Sequence, residues 1–93
     1  MAGPLRAAVI GLKEGVRHIK AYQEHPETRL LAICDTDGEL LASRKAEFGV
    51  ERAVADYREI LSMPDVDVVS VASPDYFHAE HATACMKAGK HVL

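Results

Sequence analysis

Short apolar runs alternate with amphipathic stretches along the whole chain. Leu5-Arg-Ala-Ala-Val-Ile10 has strand length and stops at Gly11. Beyond Gly15 the period changes, with Val16, Ile19 and Tyr22 at helical spacing and Arg17, Lys20, Gln23 and Glu24 on the other face. The pattern predicts a strand, a glycine turn and a helix of about ten residues ended by Pro26. Residues 28–34 carry the block Leu30-Leu-Ala-Ile-Cys34, which reads as a strand buried on both faces, as in a parallel sheet covered by helices. Asp35 closes that strand. Asp37 is placed to cap a helix carrying Leu40, Leu41 and Phe48, and Gly49 stands where a left-handed terminal residue is expected. A short extended piece at Ala53 and Val54 follows. Asp56 and Glu59 then have capping-box spacing for a brief helix through Ile60 and Leu61 that Pro64 ends. Residues 67–72 form a fourth strand, Ser73-Pro74-Asp75 breaks it, and a helix is expected over residues 76–88 with Gly89 as its cap. Lys90-His-Val-Leu93 opens a fifth strand.

This strict alternation of strand and helix specifies an α/β fold, a doubly wound, Rossmann-like parallel sheet with right-handed crossovers, incomplete at its carboxyl end. A flavodoxin-like sheet shares the alternation, so order alone does not separate the two. The length, 93 residues and 10.1 kDa, leaves room for one compact domain. Such a domain has a lean core, burying roughly 60–65% of its unfolded surface. A hydrophobic fraction of 48% and a charged fraction of 27% exclude disorder and low-complexity scaffolding. The net charge of −3 comes with no basic stripe, which argues against nucleic acid as a partner. Residues 30–34 are the longest apolar run, too short for a bilayer, and residues 1–12 have no leader-like apolar region. No membrane association and a cytoplasmic location are therefore expected. Cys34 and Cys85 have neither C-x-x-C spacing nor the density of a disulfide scaffold and read as reduced core thiols, with a disulfide between them the weaker alternative.

In doubly wound sheets, ligands bind beyond the carboxyl ends of the strands, where strand order reverses. Three unusual segments fall there. Gly11-Leu12-Lys13-Glu14-Gly15 allows a sharp turn that brings helix amides, and about half a positive charge of helix dipole, up to a phosphate. A purely structural glycine turn is the competing reading. Asp35 lies twenty-four residues after Gly11, at a strand end, where a carboxylate accepts hydrogen bonds from both ribose hydroxyls of an adenosine. Its alternative role, as a helix cap, is one that Asp37 already fills. Thr36 follows where a 2′-phosphate binder would need Arg or Lys, which favours NAD over NADP. The third segment is Ala72-Ser73-Pro74-Asp75, in which Pro74 forces Ser73 out of helical geometry beside the groove, or simply starts a helix. His78, His81 and Cys85 share a helix face, but no fourth ligand is near, so no metal is expected. The two histidines read as surface residues, with His78, nearer the strand end, the one to reach a ligand.

Taken together, Ala8-Val-Ile-Gly-Leu12, Ile33-Cys-Asp35, Asp65-Val-Asp67-Val-Val-Ser-Val-Ala-Ser-Pro74, His78-Ala-Glu-His81 and Ala88-Gly-Lys-His-Val-Leu93 resemble the Gfo/Idh/MocA oxidoreductases. That family is named for glucose-fructose oxidoreductase, inositol dehydrogenase and a rhizopine-catabolism protein. The resemblance covers nearly the whole chain, and its last two stretches are far more specific than the glycines. It implies NAD or NADP on an N-terminal Rossmann domain, and sugar or cyclitol hydroxyls oxidised, or carbonyls reduced, by hydride transfer against a C-terminal α/β domain. By position, Gly11 and Gly15 with the amides of Leu12, Lys13 and Glu14 would face the pyrophosphate, and Asp35, with Thr36 beside it, the adenosine ribose. Ala72, Ser73, Pro74 and His78 would flank the cofactor.

In the family, the text matching Gly89-Lys-His-Val-Leu93 runs into Glu-Lys-Pro, whose lysine assists proton transfer. The resemblance therefore places no catalytic residue in this chain. It makes the chain the truncated N-terminal part of an NAD(P)-dependent oxidoreductase, inactive alone, whose small-molecule substrate meets a missing domain and whose parent is a homo-oligomer. One departure stands out: Lys13 replaces the second glycine of the fingerprint, in a turn one residue short. The rival readings are a non-catalytic dinucleotide-binding or scaffold domain and an S-adenosylmethionine-dependent methyltransferase. A receiver-type domain is weaker still, because paired acids after the first strand are absent.

Overall fold

The computed structural model describes residues 4–93; Met1 to Gly3, the start of the stretch read for a leader, lie outside it. Five strands and four helices alternate: β1 (Leu5–Ile10), α1 (Val16–Glu24), β2 (Thr28–Cys34), α2 (Gly38–Phe48), β3 (Arg52–Val54), α3 (Tyr57–Leu61), β4 (Val68–Val71), α4 (Asp75–Lys87) and β5 (His91–Val92). All the strand pairings are parallel, in the order β3-β2-β1-β4-β5. The order reverses at β1, so β2 and β4 flank it, and this opens a crevice at the carboxyl ends.

Alternation along β1 divides the core into two layers. Ala7 and Val9 join Leu12, Ile19, Tyr22, Ile33 and Val68 on one side of the sheet. Ala8 and Ile10 join Ala32, Ile60, Val69, Val71 and Cys85 on the other. Both faces of β1 are therefore dry, and its apolar run is continuous for that reason. Ile10 pairs with Cys34 on one side and Val71 on the other, so the carboxyl ends of the three central strands are level. That register brings Gly11, Asp35 and Ala72 side by side.

Polar side chains tie helices and connecting segments to the sheet. Tyr22 of α1 and Ser70 of β4 share a buried hydrogen bond of 2.6 Å. Tyr22→Phe leaves the Ser70 hydroxyl without this partner and is expected to cost about 1 kcal/mol, read as a lower urea midpoint with an unchanged slope. Lys90, only 8% exposed, donates from Nζ to the Met63 carbonyl at 2.7 Å and the Val66 carbonyl at 3.0 Å, pinning the entry to β4 against the end of α4. Cys34 and Cys85 are free, buried thiols. Burial, with Asp35 nearby, pushes the Cys34 thiol up to about 12, so it is un-ionised and a poor nucleophile at neutral pH.

Local sequence rules account for most element ends. Asp37 caps α2 by accepting from the Glu39 and Leu40 amides, and Gly49 ends it in the left-handed region at φ 63°. Two expectations shift. Helix α4 starts at Asp75 and ends at Lys87, with Ala88 at the terminal position and Gly89 (φ 81°) following it as the left-handed residue. The Asp56 and Glu59 capping box is replaced: the Asp56 carboxylate accepts from the Arg58 amide and also takes the Arg58 guanidinium at 2.9 Å. A carboxylate with a cation two residues away gains more from this charge-assisted pair than from a reciprocal box.

Candidate functional site

The turn after β1 is built by close approach. The Gly11 amide donates to the Cys34 carbonyl at 2.9 Å, and the Ala72 amide donates to the Ile10 carbonyl at 2.8 Å, so backbone bonds from both neighbouring strands reach the same point. Gly11 has φ 90°, and a β-carbon on it would lie 2.6 Å from both the Ala72 carbonyl carbon and the Ser73 nitrogen. At Gly15 a β-carbon would fall on the Gly11 carbonyl oxygen and 2.7 Å from Val9 Cγ1. Both positions require glycine for space, and Gly11 for conformation as well. Leu12 turns inward and is fully buried, whereas Lys13 and Glu14 are exposed. No described non-glycine residue has positive φ, so Lys13 occupies the place of the second glycine without backbone strain.

Asp35 stands at the tip of β2 facing this turn. Its Oδ2 accepts from the Leu12 amide at 2.9 Å and its Oδ1 from the Asp37 amide at 2.8 Å. The capping role belongs to Asp37, and Asp35 joins the glycine turn to the start of α2. Thr36 is exposed beside it. The ends of the two helices differ: α2 is capped by Asp37, while α1 starts from Gly15 with no side-chain cap and no acid in its first turn. The amides at the head of α1 therefore meet no anionic side chain of that helix, and the dipole there favours an anion.

On the β4 side, Pro74 is the residue before α4 and Ser73 is 9% exposed. His81, expected on the surface, is half-buried instead: Nδ1 lies 2.8 Å from Ser73 Oγ, and the ring packs on Tyr57 at 4.3 Å between centroids. Its position two turns into α4 aims it back at the strand end, along the direction in which helical side chains lean. Burial pushes its pKa below the usual histidine range, with Glu80 opposing and His78 adding to the shift. His78 is exposed in the first turns of α4, and Cys85 is in the core. The three residues that share a spacing thus face three different environments. Among the described residues, no group of three or more His, Cys, Asp or Glu is arranged to hold a metal ion.

One residue at the turn carries no sequence signal. Arg44, in the middle of α2, donates from Nε to the Leu12 carbonyl at 3.1 Å and from Nη1 to Glu47 at 3.1 Å. In the sequence, an Arg and a Glu three apart on a helix read as an ordinary surface pair. At the opposite, amino-terminal end of the strands, a cleft of about 410 Å³ opens between Pro64 and Gly89, but its buried Lys90 is already engaged by the Met63 and Val66 carbonyls.

The sequence matches the oxidoreductase family with an NAD-binding Rossmann fold, GFO_IDH_MocA, over residues 5–93. The chain belongs to the Gfo/Idh/MocA family. Among its relatives is the myo-inositol 2-dehydrogenase of Thermotoga maritima, 38% identical over 90 residues, covering 96% of this chain and 27% of that protein. The scyllo-inositol dehydrogenase of Lactobacillus casei, solved with bound NAD(H) and scyllo-inositol, superposes with a TM-score of 0.87 at 27% identity, covering 96% of this chain and 27% of that one. A lysine-to-alanine mutant of KijD10, a 3-ketoreductase from Actinomadura kijaniata, solved with TDP-benzene and NADP, gives 0.85 at 33% identity, covering 97% and 29%. The chain spans about a quarter of the length of these relatives. As a Gfo/Idh/MocA Rossmann domain it is built for a nicotinamide dinucleotide. No helix among the described residues is long and apolar enough to cross a membrane.

Proposed function

We propose that this chain is the cofactor-binding part of an NAD(P)-dependent oxidoreductase acting on sugar or cyclitol hydroxyls or the matching carbonyls, with NAD the preferred cofactor. The observation that carries the reading is the Asp35 carboxylate bonded to the Leu12 amide, directly beside the uncapped start of α1. The residues present fit the dinucleotide. Gly11 and Gly15 let the turn pack directly on the Ala72–Ser73 peptide and on Val9, and this sharp turn presents the amides of Lys13, Glu14 and Gly15 at the head of α1, where a diphosphate would be held. A carboxylate offers about four lone-pair sites. Two of those on Asp35 are taken by the Leu12 and Asp37 amides, and the remainder suit a vicinal ribose diol.

Thr36 brings no cation toward a 2′-phosphate, and Asp35 itself repels one. Ala72, Ser73 and Pro74 form the other lip, and His78 borders it on α4. The bound nicotinamide would supply the hydride chemistry; this chain's residues orient the cofactor. No catalytic residue is assigned within residues 1–93, and the substrate and a proton-transferring lysine would be met by other parts of the parent protein. The L. casei and T. maritima relatives, both inositol dehydrogenases by name, support the cyclitol side of the proposal. Calorimetric titration tests it: NAD is expected to bind the folded chain with a dissociation constant in the micromolar to millimolar range typical of a partial site, roughly −4 to −8 kcal/mol. A folded sample showing no heat of binding with millimolar NAD would overturn it.

A further inference from the structure

The Leu12 residue is held at both of its backbone groups. Its N–H is donated to Asp35 Oδ2 at 2.9 Å, and its carbonyl accepts from Arg44 Nε at 3.1 Å. Its side chain is fully buried, which fixes the residue a third way. Arg44 comes from a different element, thirty-two residues along the chain. Its side chain is only 21% exposed, and Glu47 steadies the guanidinium from the outer side at 3.1 Å. A planar Arg fork with one donor on a carbonyl and another on a carboxylate has little freedom left.

The Leu12 carbonyl and the Lys13 N–H belong to one amide. There is no cis peptide among the described residues, and in a planar trans amide the C=O and N–H point to opposite sides. Drawing the oxygen toward α2 therefore turns the Lys13 N–H away from α2. A cationic donor on the oxygen also polarises the amide and makes its N–H a stronger donor. We propose that Arg44 is a positioning residue for the cofactor's diphosphate, aiming and polarising the Lys13 amide from behind the turn. In a short turn with lysine at the second glycine's place, this anchor supplies the fixed backbone geometry that closer packing supplies in the longer fingerprint. The inference rests on the dinucleotide reading of the turn.

The test uses the whole chain, with Arg44→Gln and Arg44→Lys, and reads two quantities: affinity by calorimetry and the Lys13 amide by proton–nitrogen NMR. Arg44→Gln is expected to weaken NAD and ADP-ribose by about tenfold while changing adenosine, which lacks the diphosphate, by less than about twofold. The Lys13 amide proton is expected to move upfield, and Arg44→Lys to recover part of both effects. A folded Arg44→Gln chain with unchanged NAD affinity and an unmoved Lys13 amide overturns the proposal. So do equal losses for adenosine and NAD, which would mean general loosening. Should Arg44→Gln not fold, the scalar coupling across the hydrogen bond from Arg44 Nε to the Leu12 carbonyl carbon decides on the native chain, and its absence overturns the clamp. Failure of the native chain to bind NAD sinks the dinucleotide reading and the cofactor role with it, whereas native binding that ignores Arg44 sinks the role of Arg44 alone.

Discussion

Gly11→Ala is expected to be among the most damaging single substitutions in this chain. Two independent costs meet at the position. An L side chain at φ 90° carries left-handed strain of roughly 1–2 kcal/mol. The added carbon also lands 2.6 Å from Ala72 and Ser73 backbone atoms, which follow directly on the Ala72 amide's bond to the Ile10 carbonyl and cannot swing aside as a side-chain tip would. Overpacking of this kind adds about 1–3 kcal/mol. A total of roughly 2–5 kcal/mol is a large part of the stability of a small domain. Glycines elsewhere separate the two causes. Gly49 has φ 63° and Gly38 an ordinary φ, and neither would bring a β-carbon within 4 Å of a neighbour. In urea unfolding, Gly38→Ala should be neutral or slightly stabilising, Gly49→Ala should lose about 1 kcal/mol, and Gly11→Ala should lose several times that along with NAD binding. A Gly11→Ala chain with native-like stability and NAD affinity would mean that β1 and β4 do not approach as described.

The order of elements was legible because each is fixed by signals local to it. Apolar runs set the strands, Asp37 and Gly49 bracket α2, and Pro26 and Pro64 lie just beyond the ends of α1 and α3. Parallel pairing and right-handed crossovers followed from general chirality and packing rules once the alternation was clear, whereas the strand order, which a flavodoxin-like sheet does not share, came only with the family resemblance and the structure. Asp35 stood out as a candidate for a different reason: its carboxylate ends a buried strand next to a second acid already suited to capping, and the structure turns it onto the Leu12 and Asp37 amides.

What escaped were pairings between side chains far apart in sequence. Nothing local distinguishes His81 from His78, yet one meets Ser73 and Tyr57 while the other faces solvent. Arg44 beside Glu47 looks like a solvated helix pair until the fold lays α2 against the glycine turn. The exposed place of Lys13 was equally hidden, because it depends on Leu12, not Lys13, being the residue the core draws inward.

Asp35→Asn tests the proposed choice of cofactor, and its effect should be read as a ratio. A 2′-phosphate bound at the same ribose would sit within about 4–5 Å of the Asp35 carboxylate, where two unit charges at an effective dielectric constant near 20 repel by roughly 3–4 kcal/mol. The native chain is therefore expected to prefer NAD over NADP by on the order of a hundredfold at moderate salt. The amide variant removes that charge, and also sets an NH2 group against the Leu12 or Asp37 N–H, where two donors now meet. NAD affinity should consequently fall by about tenfold or more, while NADP falls less or gains, bringing the two within about tenfold of each other. Because stability and turn geometry affect both cofactors alike, only a charge facing the ribose moves their ratio. A native chain that binds NADP as tightly as NAD, or an Asp35→Asn chain that keeps the native ratio, would place that carboxylate away from the sugar.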